Sequence, residues 1–184
     1  FLHDNFARPS KRSGAWMSNY RQQSRNTGGG SAVTPIVVNN NNFAKGAPGE
    51  PTLLSFDDAR TLFHEFGHGL HGLLSSVTYE RLSGTNVLRD FVELPSQLFE
   101  HWLTEPEVLK KHARHHSTGE SIPDALVAKL HAARRFNQGY ETVRYTASAL
   151  LDMAVHAQTA PEGVDIGEFE RAELQRIGLP AGVG

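Results

Sequence analysis

Two histidines and a glutamate lie within one short segment in a pattern that can bind and use a metal ion. His64 and His68 are four positions apart, and Glu65 follows directly after the first of them. Residues four apart lie on the same face of an α-helix, so both imidazole rings can point at one ion. The H-E-x-x-H pattern is typical of zinc hydrolases, and it predicts that His64 and His68 bind Zn²⁺.

Glu65 is the predicted general base of this motif. At its position the carboxylate reaches the water that the ion activates and does not reach the ion itself. Zinc lowers the pKa of such a water from about 15.7 to about 7. A neighbouring carboxylate can then accept the proton at neutral pH and later pass it to the leaving amine. The pattern therefore predicts metal-assisted hydrolysis.

A catalytic zinc site needs a third protein ligand and a free coordination position. The candidates downstream of the motif are His71, Glu80, Glu93, Glu100 and His101. His71 lies one turn beyond His68, too far along to share the ion easily, and we expect it to be a nearby polar residue or a substrate contact. Glu93 is favoured, because a helix packed across the first can deliver its carboxylate. Spacing alone leaves Glu100 and His101 open.

The motif lies in the clearest helical pattern of the chain. Ser55 places a capping oxygen before an acidic first turn, and apolar residues then recur at helical spacing. We expect a helix from Ser55 to about Leu74, followed by a loop up to Asn86. A second helix is expected over residues 90–103, interrupted early by Pro95.

The remaining elements give a fold class that is mainly α with a small β-sheet near the N-terminus. Residues 14–17 and the β-branched segment 33–38 favour short strands, and Pro35 favours a sheet edge for the second strand. The asparagine run 39–42 predicts a solvated turn. Further helices are expected near Pro106 and over residues 123–133, 136–158 and 165–177.

The composition is that of an ordinary soluble domain. Of 184 residues, 39% are hydrophobic and 21% are charged, and the net charge is −2 with the histidines neutral. This balance provides no basic field for nucleic acid or an anionic membrane, and no apolar run reaches the length of a membrane span. The absence of cysteine excludes disulfides and thiolate ligands. A reducing, cytoplasmic location is expected.

Several segments outside the H-E-x-x-H motif also carry recognisable patterns. They are residues 11–16, the full run 64–71, residues 84–86, 89–97, 135–140 and 149–153. Together they resemble the thimet oligopeptidase family of zinc metallopeptidases, and the resemblance covers nearly the whole chain. Within that family the patterns are most similar to bacterial peptidyl-dipeptidases (dipeptidyl carboxypeptidases), with oligopeptidase A second. The two ends of the chain indicate an internal fragment of the catalytic domain.

The resemblance implies that Glu93 is the third ligand of a single Zn²⁺ in a zincin-like core. It implies hydrolysis of short oligopeptides, either by release of C-terminal dipeptides or by internal cleavage. The substrates enter a deep channel in a mostly helical fold that excludes folded proteins. Asp90 is a further candidate, either to orient a ligand histidine or to cap the second helix. The loop that contains Gly84 and Thr85 is expected to approach the substrate backbone.

The chain departs from the family pattern at its end. In the family, a downstream Gly- and Tyr-rich segment supplies groups that bind substrate and stabilise the oxyanion, and this chain stops at Gly184 before any such segment. Loss of one oxyanion donor can lower the rate by about 10²–10³. Tyr140 and Tyr145 do not match that segment, and we expect them to be packing residues. The isolated chain is therefore predicted to bind zinc and to be weakly active or inactive.

The predicted organisation is a partial catalytic domain over residues 1–184, with a sheet and loops in 1–54 and a helical zinc-binding part in 55–184. Short peptides are the expected partners, without nucleic acid or membrane, and the oligomeric state is left open. The alternative is a non-catalytic zinc-binding or interaction domain, against which the presence of Glu65 argues. A second histidine cluster is expected to lie on a solvated helix and not at a second metal site: His112, His115 and His116.

Overall fold

The structure is a computed structural model that describes residues 1–160 and 162–179. It is mainly helical with a three-stranded sheet near the N-terminus, which confirms the predicted fold class at this level. The chain separates into two compact units, Phe1–Val127 and a second unit that begins at Ala128. Among the described residues, no helix combines the length and the apolar character that crossing a membrane requires.

The sheet of the first unit is built around its third strand. Strands β1 (Leu2–Phe6), β2 (Trp16–Arg21) and β3 (Ile36–Phe43) are arranged in the order β1-β3-β2. Strand β1 is parallel to β3, and β2 is antiparallel to it. The prediction that Pro35 marks a sheet edge was wrong, because β3 is the central strand. Pro35 directly precedes the first paired residue, Ile36, so its missing N–H removes no bond from the ladder.

The asparagine run, predicted to be a solvated turn, lies inside β3. Asn39 and Asn41 are completely buried. The Asn41 Nδ2 donates a hydrogen bond of 3.1 Å to Asn5 Oδ1 and lies 3.2 Å from His3 Nε2. Asparagine is depleted in strands, so the local pattern favours a turn. The cross-strand partners that stabilise the buried amide of Asn41 come from β1 and are visible only in the fold.

Helix α1 (Phe56–Leu73) carries the H-E-x-x-H motif and matches its prediction within one residue at each end. Ser55 and Asp58 form a capping box, in which each backbone N–H donates to the other side chain at 3.0 Å. This box satisfies two of the free N–H groups at the helix start. The residues that determine where this helix begins are therefore close together in the sequence, and the helix could be predicted from them.

A short 3-10 helix at Glu80–Leu82 separates α1 from α2 (Leu94–Leu103). Helix α2 begins later than the predicted residue 90, because Pro95 lacks an N–H and is tolerated only in the first helical turn. Glu93 consequently lies at the N-cap position, immediately before the helix. Helices α3 (Pro106–His112) and α4 (Asp124–Arg135) follow, and α4 contains the boundary between the two units.

Glycines let α1 approach both the sheet and α2 closely. A Cβ on Gly67 would lie 2.6 Å from Ser96 Cα and 2.7 Å from the Pro95 carbonyl oxygen of α2. On the side of the sheet, a Cβ on Gly72 would lie 3.1 Å from Val37 Cγ2 of β3. Both glycines are buried. The motif helix is therefore held between β3 and α2 at distances that a larger residue would prevent.

The second unit contains α5 (Gln138–His156) and α6 (Ile166–Ile177), each within two residues of its predicted bounds. Asp165 caps α6 by accepting a hydrogen bond of 2.9 Å from the Glu168 N–H. Tyr140 and Tyr145 are 45% and 81% exposed, so the packing role predicted for them was wrong in this unit. A helical pattern shows which residues are apolar but does not show which of them meet a neighbouring element.

Candidate metal centre

Helix α1 brings the two motif histidines together on one face. The ring centroids of His64 and His68 are 4.9 Å apart, and the rings are nearly perpendicular, at 83°. Their spacing of four residues accounts for this arrangement. Both Nε2 atoms are directed towards the start of α2, where the third residue of the group lies.

Glu93 completes the group from its position just before α2. Its Oε2 lies 3.2 Å from His64 Nε2 and 3.1 Å from His68 Nε2. One potential ligand atom from each residue lies within 4.8 Å of the others, and no other such group is found among the residues that the structure describes. Ligand atoms bound to tetrahedral zinc at about 2.0–2.1 Å are separated by about 3.3–3.4 Å. The observed distances and the N, N, O donor set therefore fit zinc.

Ser96 fixes the orientation of the Glu93 carboxylate. The Ser96 hydroxyl is completely buried and lies 2.8 Å from Glu93 Oε2 and 2.9 Å from the Glu93 carbonyl oxygen. Partial burial raises the pKa of Glu93, but the Ser96 hydrogen bond and the neighbouring His68 and His64 together lower it below its usual value. The carboxylate is thus held in the ionised form that a metal ligand needs.

Glu65 lies beside this group and is 6% exposed. Its Oε2 is buried and has no hydrogen-bond partner among the described residues. Burial raises the pKa of Glu65; the nearby His64 lowers it and the negative charge of Glu93 raises it further. A buried carboxylate with an unpaired oxygen is a group that is ready to accept a proton.

The two histidines differ in the surroundings of their second ring nitrogen. His64 Nδ1 lies 2.6 Å from Glu100 Oε1 on α2. His68 Nδ1 is buried and has no partner within the described part of the chain. Burial lowers the pKa of His68 below its usual value, although Glu93 acts in the opposite direction. A neutral imidazole is the form that binds a metal.

An open cleft of about 370 Å³ gives access to these side chains. It is lined by Ala15, Trp16, Met17, His64, Glu65, His68, Thr85, Val92 and Glu93. Residues from β2, α1, the loop after the 3-10 helix and the start of α2 therefore meet at one place. Thr85 lies within this set, and the expectation that its loop approaches the substrate backbone stays a prediction.

Three of the other third-ligand candidates, His71, Glu80 and His101, lie away from the group, whereas Glu100 contacts His64 through Nδ1. His71 lines a separate, mostly apolar pocket, and its ring centroid lies 6.2 Å from that of Phe91 in an edge-on arrangement. Glu80 is exposed in the 3-10 helix, and His101 is exposed near the end of α2. The expectation that His71 is a substrate contact is not supported by this position. Glu93 and Glu100 are seven residues apart, which corresponds to about two helical turns. This spacing explains why Glu100 faces α1 as Glu93 does.

Two further predictions are corrected by the structure. Asp90 lies in an exposed turn, so it is neither the N-cap of α2 nor a hydrogen-bond partner of a ligand histidine within the described residues. Glu100 occupies that partner position instead. The second histidine cluster is exposed, as predicted, but only His112 lies on a helix, at the end of α3; His115 and His116 stack on each other in the segment that follows, so the predicted helix was wrong for these two.

Comparison with known proteins identifies relatives over almost the whole chain. The model of Peptidase family M3 matches residues 1–180. Dipeptidyl carboxypeptidase of Escherichia coli is 47% identical over 98% of this chain, and oligopeptidase A of the same species is 39% identical over 96% of it. A mitochondrial intermediate peptidase of Arabidopsis thaliana is 38% identical over 77% of the chain. The chain spans 26% of the length of each bacterial relative and 20% of the plant one.

Proposed function

The chain belongs to peptidase family M3, and on that premise we propose that it is the zinc-binding part of a metallopeptidase that releases C-terminal dipeptides from short peptides. One observation carries the proposal. Two imidazole nitrogens and a carboxylate oxygen converge beside Glu65, a buried carboxylate with an unpaired oxygen, in a cleft open to solvent.

His64, His68 and Glu93 would hold one Zn²⁺. Two neutral imidazoles and one carboxylate form a donor set of the catalytic type, with three protein ligands and one position left free. When bound, zinc supplies a Lewis acid that polarises the substrate carbonyl and makes water more acidic. Ser96 holds the Glu93 carboxylate at 2.8 Å in the orientation that brings its Oε2 towards both histidines.

Glu65 moves the proton in this proposal. Its carboxylate accepts a proton from the attacking water and then delivers it to the nitrogen of the departing amine. Burial supports both tasks, because the raised pKa of Glu65 makes it a better proton acceptor than an exposed glutamate. The neighbouring Glu93 remains ionised, so the two carboxyl groups have separate roles.

The edge of the sheet is suited to align an extended peptide with the cleft. Strand β2 pairs with β3 on one side, and its other edge has no strand partner in the described structure. The cleft that contains Glu65 is lined by Trp16 and Met17 at the start of β2 and by Ala15 directly before it. A free strand edge can bind an extended peptide through backbone hydrogen bonds. We therefore propose that substrate lies along β2 with its scissile bond beside Glu65.

The similarity to dipeptidyl carboxypeptidase favours dipeptide release, whereas the lower similarity to oligopeptidase A keeps internal cleavage as the second candidate. The two reactions use the same metal and the same base. They differ in whether the free C-terminal carboxylate of the substrate is required. A cytoplasmic location is part of the same proposal.

Zinc binding by the 184-residue chain tests the first step. We expect one equivalent of Zn²⁺ by metal analysis after dialysis, and loss of tight binding in His64→Ala, His68→Ala and Glu93→Ala. Glu105→Ala, at an exposed position outside the cleft, serves as the matched control. A wild-type chain that retains no zinc under these conditions would refute the proposed function.

Product analysis tests the reaction. The zinc-loaded chain and full-length dipeptidyl carboxypeptidase of Escherichia coli are each incubated with one peptide in two forms, with a free and with an amidated C-terminus. We expect C-terminal dipeptides from the free form in mass spectra, at a much lower rate for the isolated chain. Equal cleavage of the amidated form by the chain would favour the internal-cleavage candidate. Zinc binding without any product would agree with the predicted inactivity of the isolated chain, and Glu65→Gln in a full-length enzyme would then separate a catalytic from a non-catalytic zinc site.

A further inference from the structure

Glu100 makes a contact that the proposed reaction does not use. Its Oε1 lies 2.6 Å from His64 Nδ1, the shortest of the contacts between carboxylates and the two motif histidines. Both residues are partly buried, with side chains 25% and 21% exposed for His64 and Glu100. A short, partly desolvated hydrogen bond of this kind is stronger than a neutral one in water.

The contact determines which nitrogen of His64 carries the proton. An ionised carboxylate can only accept a hydrogen bond, so Nδ1 must donate its hydrogen to Glu100. In a neutral ring, Nε2 is then left with its lone pair. Nε2 is the nitrogen that lies 3.2 Å from Glu93 Oε2, within the candidate metal centre. Glu100 therefore selects the tautomer that can bind a metal.

Glu100 is not itself in a position to be a ligand. It contacts the ring at Nδ1, whereas the ligand group is formed through Nε2 of both histidines. The group within 4.8 Å consists of His64, His68 and Glu93 and does not include Glu100. A carboxylate on the far nitrogen acts on the metal only through the imidazole.

His68 provides an internal comparison. Its Nδ1 is buried and has no partner among the residues that the structure describes, so its contact with Glu93 through Nε2 is not matched by a carboxylate at Nδ1. Within the described residues, a carboxylate therefore contacts the Nδ1 of His64 and not that of His68.

We propose that Glu100 is a positioning residue for zinc, which holds His64 in the metal-binding tautomer and orients its ring through the contact between Glu100 Oε1 and His64 Nδ1. This inference rests on the proposed function, since it assumes that His64 binds zinc. It assigns to α2 two contributions to one site: Glu93, at its N-cap, as a ligand and Glu100, two turns later, as the support of another ligand. Displacing α2 would disturb both.

The test compares the zinc affinity of four forms of the chain. Glu100→Ala removes the acceptor, Glu100→Gln keeps an acceptor oxygen and removes the charge, and Glu107→Ala removes an exposed glutamate of α3 as a control. Zn²⁺ affinity is measured by competition with a chromophoric chelator. We expect a loss of about 10–100-fold for Glu100→Ala, an intermediate loss for Glu100→Gln and no change for Glu107→Ala.

A second measurement separates positioning from a general effect on folding. The visible absorption of bound Co²⁺ reports the geometry of the metal site, and thermal unfolding of the metal-free forms reports the fold. We expect Glu100→Ala to change the Co²⁺ spectrum while Glu100→Gln remains close to wild type. If Glu100→Ala fails to fold, the decision rests on Glu100→Gln: an affinity at least about threefold below wild type supports the proposal.

The outcomes distinguish this inference from the function on which it rests. A wild-type chain without tight zinc binding would overturn both. A wild-type chain that binds one zinc, together with a folded Glu100→Ala chain of equal affinity and unchanged Co²⁺ spectrum, would overturn only the role of Glu100. The role of Glu100 would also be overturned if Glu100→Ala fails to fold and Glu100→Gln binds zinc with wild-type affinity.

Discussion

At the scale of single residues, two carboxylates in one cleft have opposite electrostatic surroundings. Burial is the main cause that raises the pKa of Glu65, and no described group donates a hydrogen bond to its Oε2. Glu93 is also partly desolvated, but Ser96 and the two histidines stabilise its charge and lower its pKa. Pairs of groups whose surroundings shift their pKa values apart can divide ligand and base roles.

The first prediction concerns Glu65 as the base. In a full-length enzyme with this sequence, Glu65→Gln is expected to lower kcat/KM by about 10²–10⁴-fold, because the amide cannot accept the proton. Zinc content should remain that of wild type, since Glu65 does not belong to the ligand group. Steady-state kinetics with a fluorogenic peptide and metal analysis of the same sample provide the measurement. Activity within tenfold of wild type would contradict the role of Glu65.

The second prediction concerns His71, which lies in a mostly apolar pocket away from the ligands. Burial lowers its pKa below the ordinary value of 6.5, so the unfolded chain binds a proton more readily than the folded chain. The stability contributed by neutral His71 is therefore complete above pH 6.5 and is lost as the pH falls below that value towards the folded pKa. His71→Leu should remove this part of the acid sensitivity.

Urea unfolding in chelator at several pH values tests the prediction for His71. The difference in unfolding free energy between His71→Leu and wild type should grow in favour of the variant as the pH falls below 6.5. His3 remains in both proteins, so its titration cancels in the difference, whereas that of His68 cancels only in part because the charge of His71 also lowers the pKa of His68. A difference that is independent of pH would show that His71 does not titrate in the folded state as its burial implies.

The sequence predicted some residues of the candidate site better than others. All three residues of the H-E-x-x-H motif lie on one helix, so the relative positions of His64, Glu65 and His68 followed from helical spacing. Glu93 needed the family resemblance, because spacing left Glu100 and His101 open. The contact between Glu100 and His64 depends on how α2 crosses α1, and no local pattern encodes that crossing. The ligand and base roles remain predictions until zinc binding is measured.

At the scale of elements, glycines determine how closely α1 and α2 approach each other. Gly67→Ala is expected to lower the free energy of unfolding by about 1–3 kcal/mol, as overpacking of a dense core does. Its Cβ would lie 2.6 Å from Ser96 Cα, and backbone cannot move aside as a flexible side chain can. Zinc affinity should fall as well, because any displacement of α2 moves Glu93.

Gly139→Ala is the control for this third prediction. Gly139 is also helical, but a Cβ there would meet no described heavy atom within 4 Å. Alanine has the higher helix propensity, so the control should be neutral or more stable by up to about 1 kcal/mol. Chemical denaturation and the chelator assay measure both variants. A Gly67→Ala chain as stable as wild type would show that α1 and α2 tolerate a larger separation.

A fourth prediction tests the helix cap. Ser55→Ala removes the oxygen that accepts the Asp58 N–H at 3.0 Å and breaks the capping box. The expected loss of stability is about 0.5–2 kcal/mol. Ser55→Asn restores an acceptor and should recover most of it. Denaturation midpoints of the three chains provide the measurement, and equal midpoints for Ser55→Ala and wild type would show that the cap contributes nothing.

The elements that the sequence predicted best are those with local signals at their ends. Helix α1 has a capping box, and α6 has Asp165 at its start and Gly178 at its end. Strand β1 was not predicted, and the buried asparagines of β3 were assigned to a turn. Strand pairing depends on partners distant in the chain, so a polar strand cannot be recognised from its own residues when its hydrogen-bond partners are in β1.

At the scale of the whole molecule, the location of the three proposed metal ligands in one of the two compact units has a consequence for stability. His64, His68 and Glu93 all belong to the unit Phe1–Val127. A ligand that binds only the folded state stabilises the cooperative unit that contains its site, by about 2.7 kcal/mol at a concentration of 100 times Kd. The second unit, with α5 and α6, contains none of the three proposed ligands.

The fifth prediction is that zinc protects the two units unequally. In hydrogen exchange followed by mass spectrometry, saturating Zn²⁺ should slow exchange in peptides from α1 and α2 by up to about 100-fold where exchange requires opening of the whole unit. Peptides from α5 and α6 should exchange at the same rate with and without the metal. Glu93→Ala is the control, and zinc should leave its exchange unchanged throughout. If residues 55–184 instead form the single helical part predicted from the sequence, they would behave as one cooperative unit. Equal protection of α1 and α5 by zinc would favour that organisation over two separately stabilised units.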